Sequence, residues 1–352
     1  MKIAVVGAGP AGSIAAASCA KENDVLIYEE HTIQPVQCAG LISISGLSRL
    51  GIKPPKEAIK NTVSGAKIHS PSGNSFLIRA RTKKAYVLDR SRFDSYLLDE
   101  AEAAGAVRVK EHVTEASQLD ADRVILATGT NYQLHQKLNI QKPKTYLVGA
   151  QYELAVDCDP DNVELHFNVP EFFSWIIPAG DVCRVGCCAN KNPVPYLDAF
   201  VKKLTAEGRI KNPGIAAKNF GVIPIYDPKL RTDYGKVILV GDAAGQVKAS
   251  TGGGVVMGGL AAKETPYADY ERRWKAAIGN ELSTHLRIHK TFARLSDVNK
   301  DRLLSLIAQN TAALESEGDM DYATKSVTAL LKKPSFSIRL LTQFPYFLSD
   351  LI

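Results

Sequence analysis

The first thirty residues restrict the fold more than any other part of the chain. Residues 2–6 (K-I-A-V-V) are an apolar run suited to a strand buried on both faces, and G-A-G-P-A-G follows at 7–12. Gly7 permits a tight turn, Gly9 lets a pyrophosphate approach the backbone, and Gly12 lets the next helix pack closely on the strand. Pro10 suits the first helical turn, where its missing N–H costs nothing, and the small residues of 13–19 continue the helix. A second strand over 24–28 ends at Glu29, the spacing at which an acid reaches a ribose diol. A lone G-x-G-x-x-G is weak. Strand, glycine turn, helix and acid in this order specify a dinucleotide-binding unit.

A second signal lies far downstream. Residues 237–240 (V-I-L-V) read as a buried strand that ends at Gly241 and Asp242. An acid there can accept hydrogen bonds from sugar hydroxyls, while Ala243, Ala244 and Gly245 leave room for a bulky ligand. Gly252, Gly253 and Gly254 form a bare loop before the apolar helix that opens at Val255. Exposed N–H groups and the positive end of a helix dipole suit a flat or anionic ligand. Alone, the triplet could be an ordinary loop. Paired with the N-terminal signal, it reads as the other end of one long cofactor.

Between these two signals the reading is mixed. Residues 35–40 (P-V-Q-C-A-G) leave the nucleotide strand as a loop, and Cys38 there reads either as a site residue or as a small buried side chain. Residues 62–89 alternate as an antiparallel excursion, and a strand over 86–88 leads to a helix over 92–104. Arg90 at that junction suits a phosphate or ring edge, or a surface ion pair with Asp94. Strands over 107–109 and 123–127 follow; the second ends in a small-residue turn containing Ala127 and Gly129. Four strands are expected between 145 and 190, with Phe172, Phe173, Trp175 and Ile177 as their most apolar cluster. Trp175 is the member best suited to face a ligand, core packing being the alternative. Helices are expected over 195–207 and 270–295. His285 and His289, spaced i and i+4 without an H-E-x-x-H context, do not read as a metal site, and no metal is expected elsewhere. The tail from 331 mixes Lys332, Lys333 and Arg339 with Phe336, Leu340, Phe344, Tyr346 and Phe347; it suits a membrane surface or a cover over its own domain.

Composition narrows the class. With 352 residues and 45% hydrophobic content the chain can bury a large core. The net charge of +6 is spread along it, which fits anionic lipids or phosphorylated substrates and does not call for nucleic acid. Six cysteines without C-x-x-C pairs argue against iron–sulfur or structural zinc sites and for reduced thiols in the cytoplasm. No signal peptide is expected, and no apolar run is long enough to span a bilayer.

Four blocks together resemble the geranylgeranyl reductase family, flavoproteins with the para-hydroxybenzoate hydroxylase-type fold. They are G-A-G-P-A-G at 7–12, P-V-Q-C-A-G at 35–40, F-S-W-I-I-P at 173–178 and G-D-A-A-G-Q-V-K-A-S-T-G-G-G at 241–254, with similarity from residue 1 to about 295. Phe173 and Ile177 replace two aromatics of the family's Y-x-W-x-F-P, and K-E-T-P at 263–266 ends the helix after the glycines early. The resemblance implies an α/β (α+β) architecture: a Rossmann-like FAD-binding domain, an inserted antiparallel-sheet substrate domain and a helical C-terminal region. Its expected bounds are 1–60, 85–135 and 220–265 for the first, 61–84 and 136–219 for the second, and 266–352 for the third.

It further implies bound FAD and saturation of isoprenoid (geranylgeranyl) double bonds in a prenyl lipid of the archaeal membrane type, by hydride transfer from a reduced flavin held against an oily chamber. The expected cofactor-binding residues are Gly7, Gly9, Pro10, Ala11, Gly12, Glu29, Glu30, Cys38, Ala39, Gly40, Arg90, Ala127, Gly129, Gly241, Asp242, Gly252, Gly253, Gly254 and Val255. Phe173, Trp175, Ile177 and Pro178 are expected to bind the lipid, and Cys38 is the candidate catalytic residue. Electrons would come from an external donor: NAD(P)H, a ferredoxin or a deazaflavin. An aromatic hydroxylase of the same fold and a prenyl-lipid carrier that has lost the flavin are the alternatives. Peripheral contact with the inner face of the membrane fits such a substrate.

Overall fold

The computed structural model describes residues 1–31, 38–212 and 214–351. Five parallel strands form the nucleotide-type sheet, in the order Val237–Leu239, Arg123–Leu126, Lys2–Val6, Asp24–Tyr28 and Val107–Val109. Alternate side chains serve two different cores, as strand geometry dictates. Ile3 and Val5 pack with Ile14, Ala15 and Ala101 of helices Pro10–Cys19 and Arg90–Ala103, while Ala4 and Val6 pack with Val113, Leu119 and Leu134 on the other face. Covered on both sides, the inner stretches 3–6 and 124–126 have no polar positions to spare. That is why they read as continuous apolar runs.

Seven strands make the second sheet, in the order Ala217–Pro224, Tyr146–Leu154, Cys183–Ala189, Ser174–Pro178, Asn162–His166, Gly65–His69 and Ser75–Arg79. All its pairings are antiparallel except Asn162–His166 with Gly65–His69, which run parallel. The early excursion thus docks onto the later strands. A small antiparallel sheet of Leu41–Ser43, Ala85–Leu88 and Ile59–Val63 lies at the junction. Helices between Tyr270 and Leu351 complete the described chain.

Several boundaries differ from expectation for local reasons. The helix expected from 92 begins at Arg90, because Asp89 caps it by accepting from the Arg92 N–H. The first helix begins at Pro10, as its place in the first turn suggested, with Gly9 as its N-cap. Strand Ala217–Pro224 was not anticipated, and it runs unbroken across the boundary expected at 219/220. The helical stretch from 270 contains a π-turn at Lys275–Gly279 before continuing as Asn280–Arg294. The tail forms one helix, Pro334–Leu351, that both covers the protein and faces outward: Phe336 and Phe347 are buried, Ile338, Leu341, Phe344 and Tyr346 are exposed.

Candidate functional site

A cavity of about 1130 Å³ opens between the C-terminal ends of the parallel strands and one face of the seven-stranded sheet. In open parallel sheets, ligands bind at this edge of the strands. Gly9, Pro10, Ala11, Ala127 and Gly129 line one part, and Gly241, Asp242, Gly252, Gly253, Gly254 and Val255 another. Cys38, Ala39, Gly40 and Arg90 line it from the small sheet, and Phe173, Trp175 and Ile177 from the large one. Segments far apart in the chain therefore meet around a single space.

Five expected site residues do not line it. Gly7 and Gly12 form the turn beneath: Gly7 has φ +98°, and a Cβ on Gly12 would stand 1.9 Å from the Gly7 carbonyl oxygen. Glu29 is buried, accepting at Oε2 from the Ala8 N–H at 3.0 Å and at Oε1 from the His31 N–H at 3.0 Å. Its carboxylate fixes the glycine turn. Glu30 is half exposed and pairs with His112 at 2.9 Å. Pro178 ends its strand, where its carbonyl accepts from Asn61. Residues 35–37 of the P-V-Q-C-A-G block lie outside the described residues.

Arg90 pairs with Asp94 as one reading expected, but the pair is largely buried and not on the surface. Its guanidinium donates two bonds to the Asp94 carboxylate, at 2.8 and 2.9 Å, while it also lines the cavity beside Cys38. Burial works against its charge, but Asp94 and the Cys38 sulfur outweigh that and hold the guanidinium firmly protonated. Arg184, reaching from the large sheet, donates to the carbonyls of Ala39 and Leu88, both at 2.9 Å. It fills the place a side chain on Gly40 would need: a Cβ there would lie 2.4 Å from Arg184 Nη1, and Gly40 has φ +71°. The glycine is required by that approach, and the loop carrying Cys38 is tied down on both sides. The Gly40 N–H donates to Cys38 Sγ at 3.3 Å.

Burial raises the Asp242 carboxyl to about 6, with Arg90 pulling the other way. Among the described residues no hydrogen bond reaches its side chain, which leaves its oxygens open to the cavity. The glycine triplet is bare for a reason. Cβ atoms on Gly252, Gly253 and Gly254 would lie 2.9 Å from Ile223, 2.7 Å from Lys248 and 2.9 Å from Asp242 Oδ1.

The apolar wall is built by one cross-strand fit. Trp175 faces Gly186 in register, and a Cβ on Gly186 would sit 2.4 Å from the indole ring. The ring N–H donates to Gln151 Oε1 at 3.1 Å, and Phe173 packs edge-on at 6.4 Å. Sequence reasoning found Trp175 but missed Gln151, Lys248 and Asp321, which also line the cavity. A charge inside the otherwise small and neutral stretch 243–254 was the available signal for Lys248.

His285 is structural. Its Nδ1 lies 2.6 Å from the Ser250 hydroxyl and its Nε2 3.0 Å from the Asp321 carbonyl, so the neutral ring accepts from one and donates to the other. Burial, with help from Lys248, lowers its pKa from 6.5 to about 4. A depressed folded-state value means stability is complete above pH 6.5 and declines as pH falls toward 4. Urea unfolding at pH 7 and pH 4.5 is expected to differ by about 2 kcal/mol from this group, a difference that His285→Gln removes.

No known family profile matches the chain. A curated relative does. The digeranylgeranylglycerophospholipid reductase of Methanothrix thermoacetophila is 30% identical over 90% of this chain and 94% of its own length. The chain belongs to this reductase family. A solved geranylgeranyl bacteriochlorophyll reductase-like protein from Thermoplasma acidophilum shares the fold, with a TM-score of 0.81 at 24% identity over 99% of this chain and 98% of that one. A variant of the halogenase PltM, solved in complex with FAD, shares it with a TM-score of 0.67 at 14% identity over 97% and 91%. The four blocks that carried the resemblance are those that build the cavity's walls and the turn beneath it, residues 35–37 apart.

Proposed function

We propose that the chain binds FAD along this cavity and reduces prenyl double bonds of a digeranylgeranylglycerophospholipid-type lipid. The reading is carried by one conjunction: a glycine-bare dinucleotide turn, a carboxylate open to the cavity and an apolar aromatic wall share a single cavity. The residues suit FAD in size and chemistry. Space is open at Gly9, where a Cβ would meet nothing within 4 Å, Asp242 offers lone pairs to sugar hydroxyls, and helix Val255–Ala262 opens beside the glycine triplet.

FAD, once reduced, supplies the hydride that adds to one alkene carbon. The protein's part is to hold the alkene close and exclude water, which Phe173, Trp175 and Ile177 do as a rigid apolar wall. The second alkene carbon takes a proton, and Cys38 Sγ is the donor we assign. The Arg90 guanidinium lies beside that sulfur. A proton from water restores the thiol, and an external donor of the NAD(P)H, ferredoxin or deazaflavin class would supply the two electrons, with a further proton, that each saturated double bond consumes. Helix Pro334–Leu351, with Ile338, Leu341 and Phe344 exposed beside Arg339, forms a peripheral membrane contact through which the lipid arrives. No helix among the described residues is long and apolar enough to cross a membrane.

Two outcomes test the arrangement. Trp175→Ala is expected to raise KM for the lipid about tenfold or more while FAD content stays unchanged; equal loss of both would contradict the placement. The second concerns pH. In the free protein the raised Asp242 value contributes stability present below pH 3.8 and lost as pH rises through about 6. Sugar hydroxyls donate more strongly to the carboxylate than to the neutral acid, so binding below pH 6 favours release of a proton. The FAD Kd is therefore expected to be flat above pH 7 and to weaken by up to about tenfold per pH unit below 6. Fluorescence titration reads this, and Asp242→Asn should abolish the slope; a slope that persists in the variant refutes the assignment.

A further inference from the structure

Two residues of the stretch 241–254 carry charge, Asp242 and Lys248, and the chemistry so far uses only the first. Lys248 is 7% exposed and its partner Asp321 1%. Its ammonium donates to Asp321 Oδ1 at 2.7 Å and to the Met320 carbonyl at 3.0 Å. An ammonium has three N–H donors, and among the described residues no third acceptor meets this one. The side chain lies across the glycine triplet: a Cβ on Gly253 would stand 2.7 Å from Lys248 Cε and 3.1 Å from Nζ. Lys248, Gly253 and Asp321 all line the cavity.

Asp321 is held from several sides. Its carboxylate also accepts from the Ser43 hydroxyl and lies 3.9 Å from Arg49, and its carbonyl accepts from His285 Nε2 at 3.0 Å. The ammonium is thereby fixed over Gly253 with one donor unused. Burying such a pair carries a desolvation cost that packing alone would avoid with apolar residues. A ligand that takes the third N–H and gains negative charge during its reaction gives the cation something to do.

We propose that Lys248 directs its remaining N–H and its charge at the flavin ring of bound FAD and favours the reduced, negatively charged ring. Asp321 is the positioning residue that fixes the ammonium and sets how much of its charge is felt. The inference rests on the FAD reading above. A cation near a group that becomes negative on reduction raises the reduction potential, and a carboxylate beside that cation offsets part of the effect.

The test is the midpoint potential, read by anaerobic reductive titration of FAD-loaded protein against a reference dye. Lys248→Met is expected to shift the reduction equilibrium about tenfold toward oxidised flavin, about 30 mV for a two-electron couple. Asp321→Asn is expected to shift it in the opposite direction, and Lys248→Arg to stay near the parent protein. An ion pair that only holds the fold would move both single variants in the same direction or neither, and either result overturns the inference. Should Lys248→Met fail to fold, Asp321→Asn decides alone, since it keeps the cation and the volume; an unchanged or lowered potential refutes the proposal. Parent protein that takes up no FAD overturns the FAD reading and this inference with it. FAD-loaded protein with unmoved potentials overturns this inference only.

Discussion

Gly12→Val is expected to leave little folded protein. A Cβ at this position would lie 1.9 Å from the Gly7 carbonyl oxygen and 3.1 Å from the Ala127 methyl, and both neighbours belong to the parallel sheet or its turn. Backbone cannot give way there without separating helix Pro10–Cys19 from strand Lys2–Val6. Overpacking of this kind costs about 4 kcal/mol or more, a large share of an ordinary domain's stability. Urea unfolding followed by circular dichroism checks it, and a midpoint equal to that of the parent would contradict the packing described.

Gly9→Val, three residues earlier in the same motif, should fail in a different way. Its φ of −65° and ψ of 177° are open to any residue, and a Cβ there meets nothing within 4 Å. Stability is expected to change by no more than about 0.5 kcal/mol. The new side chain would instead stand in the space assigned to the cofactor's pyrophosphate. FAD affinity is then expected to fall about a hundredfold or more, roughly 2.7 kcal/mol. Intact FAD binding in Gly9→Val would place the cofactor elsewhere. The two substitutions separate what the motif does for the fold from what it does for the ligand.

These two glycines also mark how far the sequence could be read. Strands Lys2–Val6 and Val237–Leu239 were legible because burial leaves a nearly unbroken apolar run. Strand Ala217–Pro224 was not. As the sheet's edge it alternates half-buried with exposed positions, and Phe220 and Val222 face outward after a stretch rich in glycine and charge. Its pairing partner, Tyr146–Leu154, is some seventy residues away, and no local pattern encodes that distance.

The candidate site divides in the same manner. Asp242 and the glycine triplet were visible because small residues and one acid sit together in the sequence. Lys248 was printed among them, yet its meaning depends on Asp321, which only the fold brings to 2.7 Å. Glu29 shows the opposite limit. Its spacing suggested a ligand contact, whereas its carboxylate holds the backbone N–H groups of Ala8 and His31. Spacing located the acid but not the direction in which its oxygens point. Arg90 was read as facing either a ligand or Asp94; its guanidinium bonds Asp94 and also lines the cavity.

Mass spectrometry of a digeranylgeranylglycerophospholipid, incubated anaerobically with FAD-loaded and chemically reduced protein, puts the proposed reaction to the proof. The lipid should gain two hydrogens for each double bond saturated while the flavin returns to its oxidised spectrum, and Cys38→Ala should slow both together. Lipid of unchanged mass beside flavin that stays reduced, or a lipid that gains oxygen when air is admitted, would contradict reduction of prenyl double bonds by this chain.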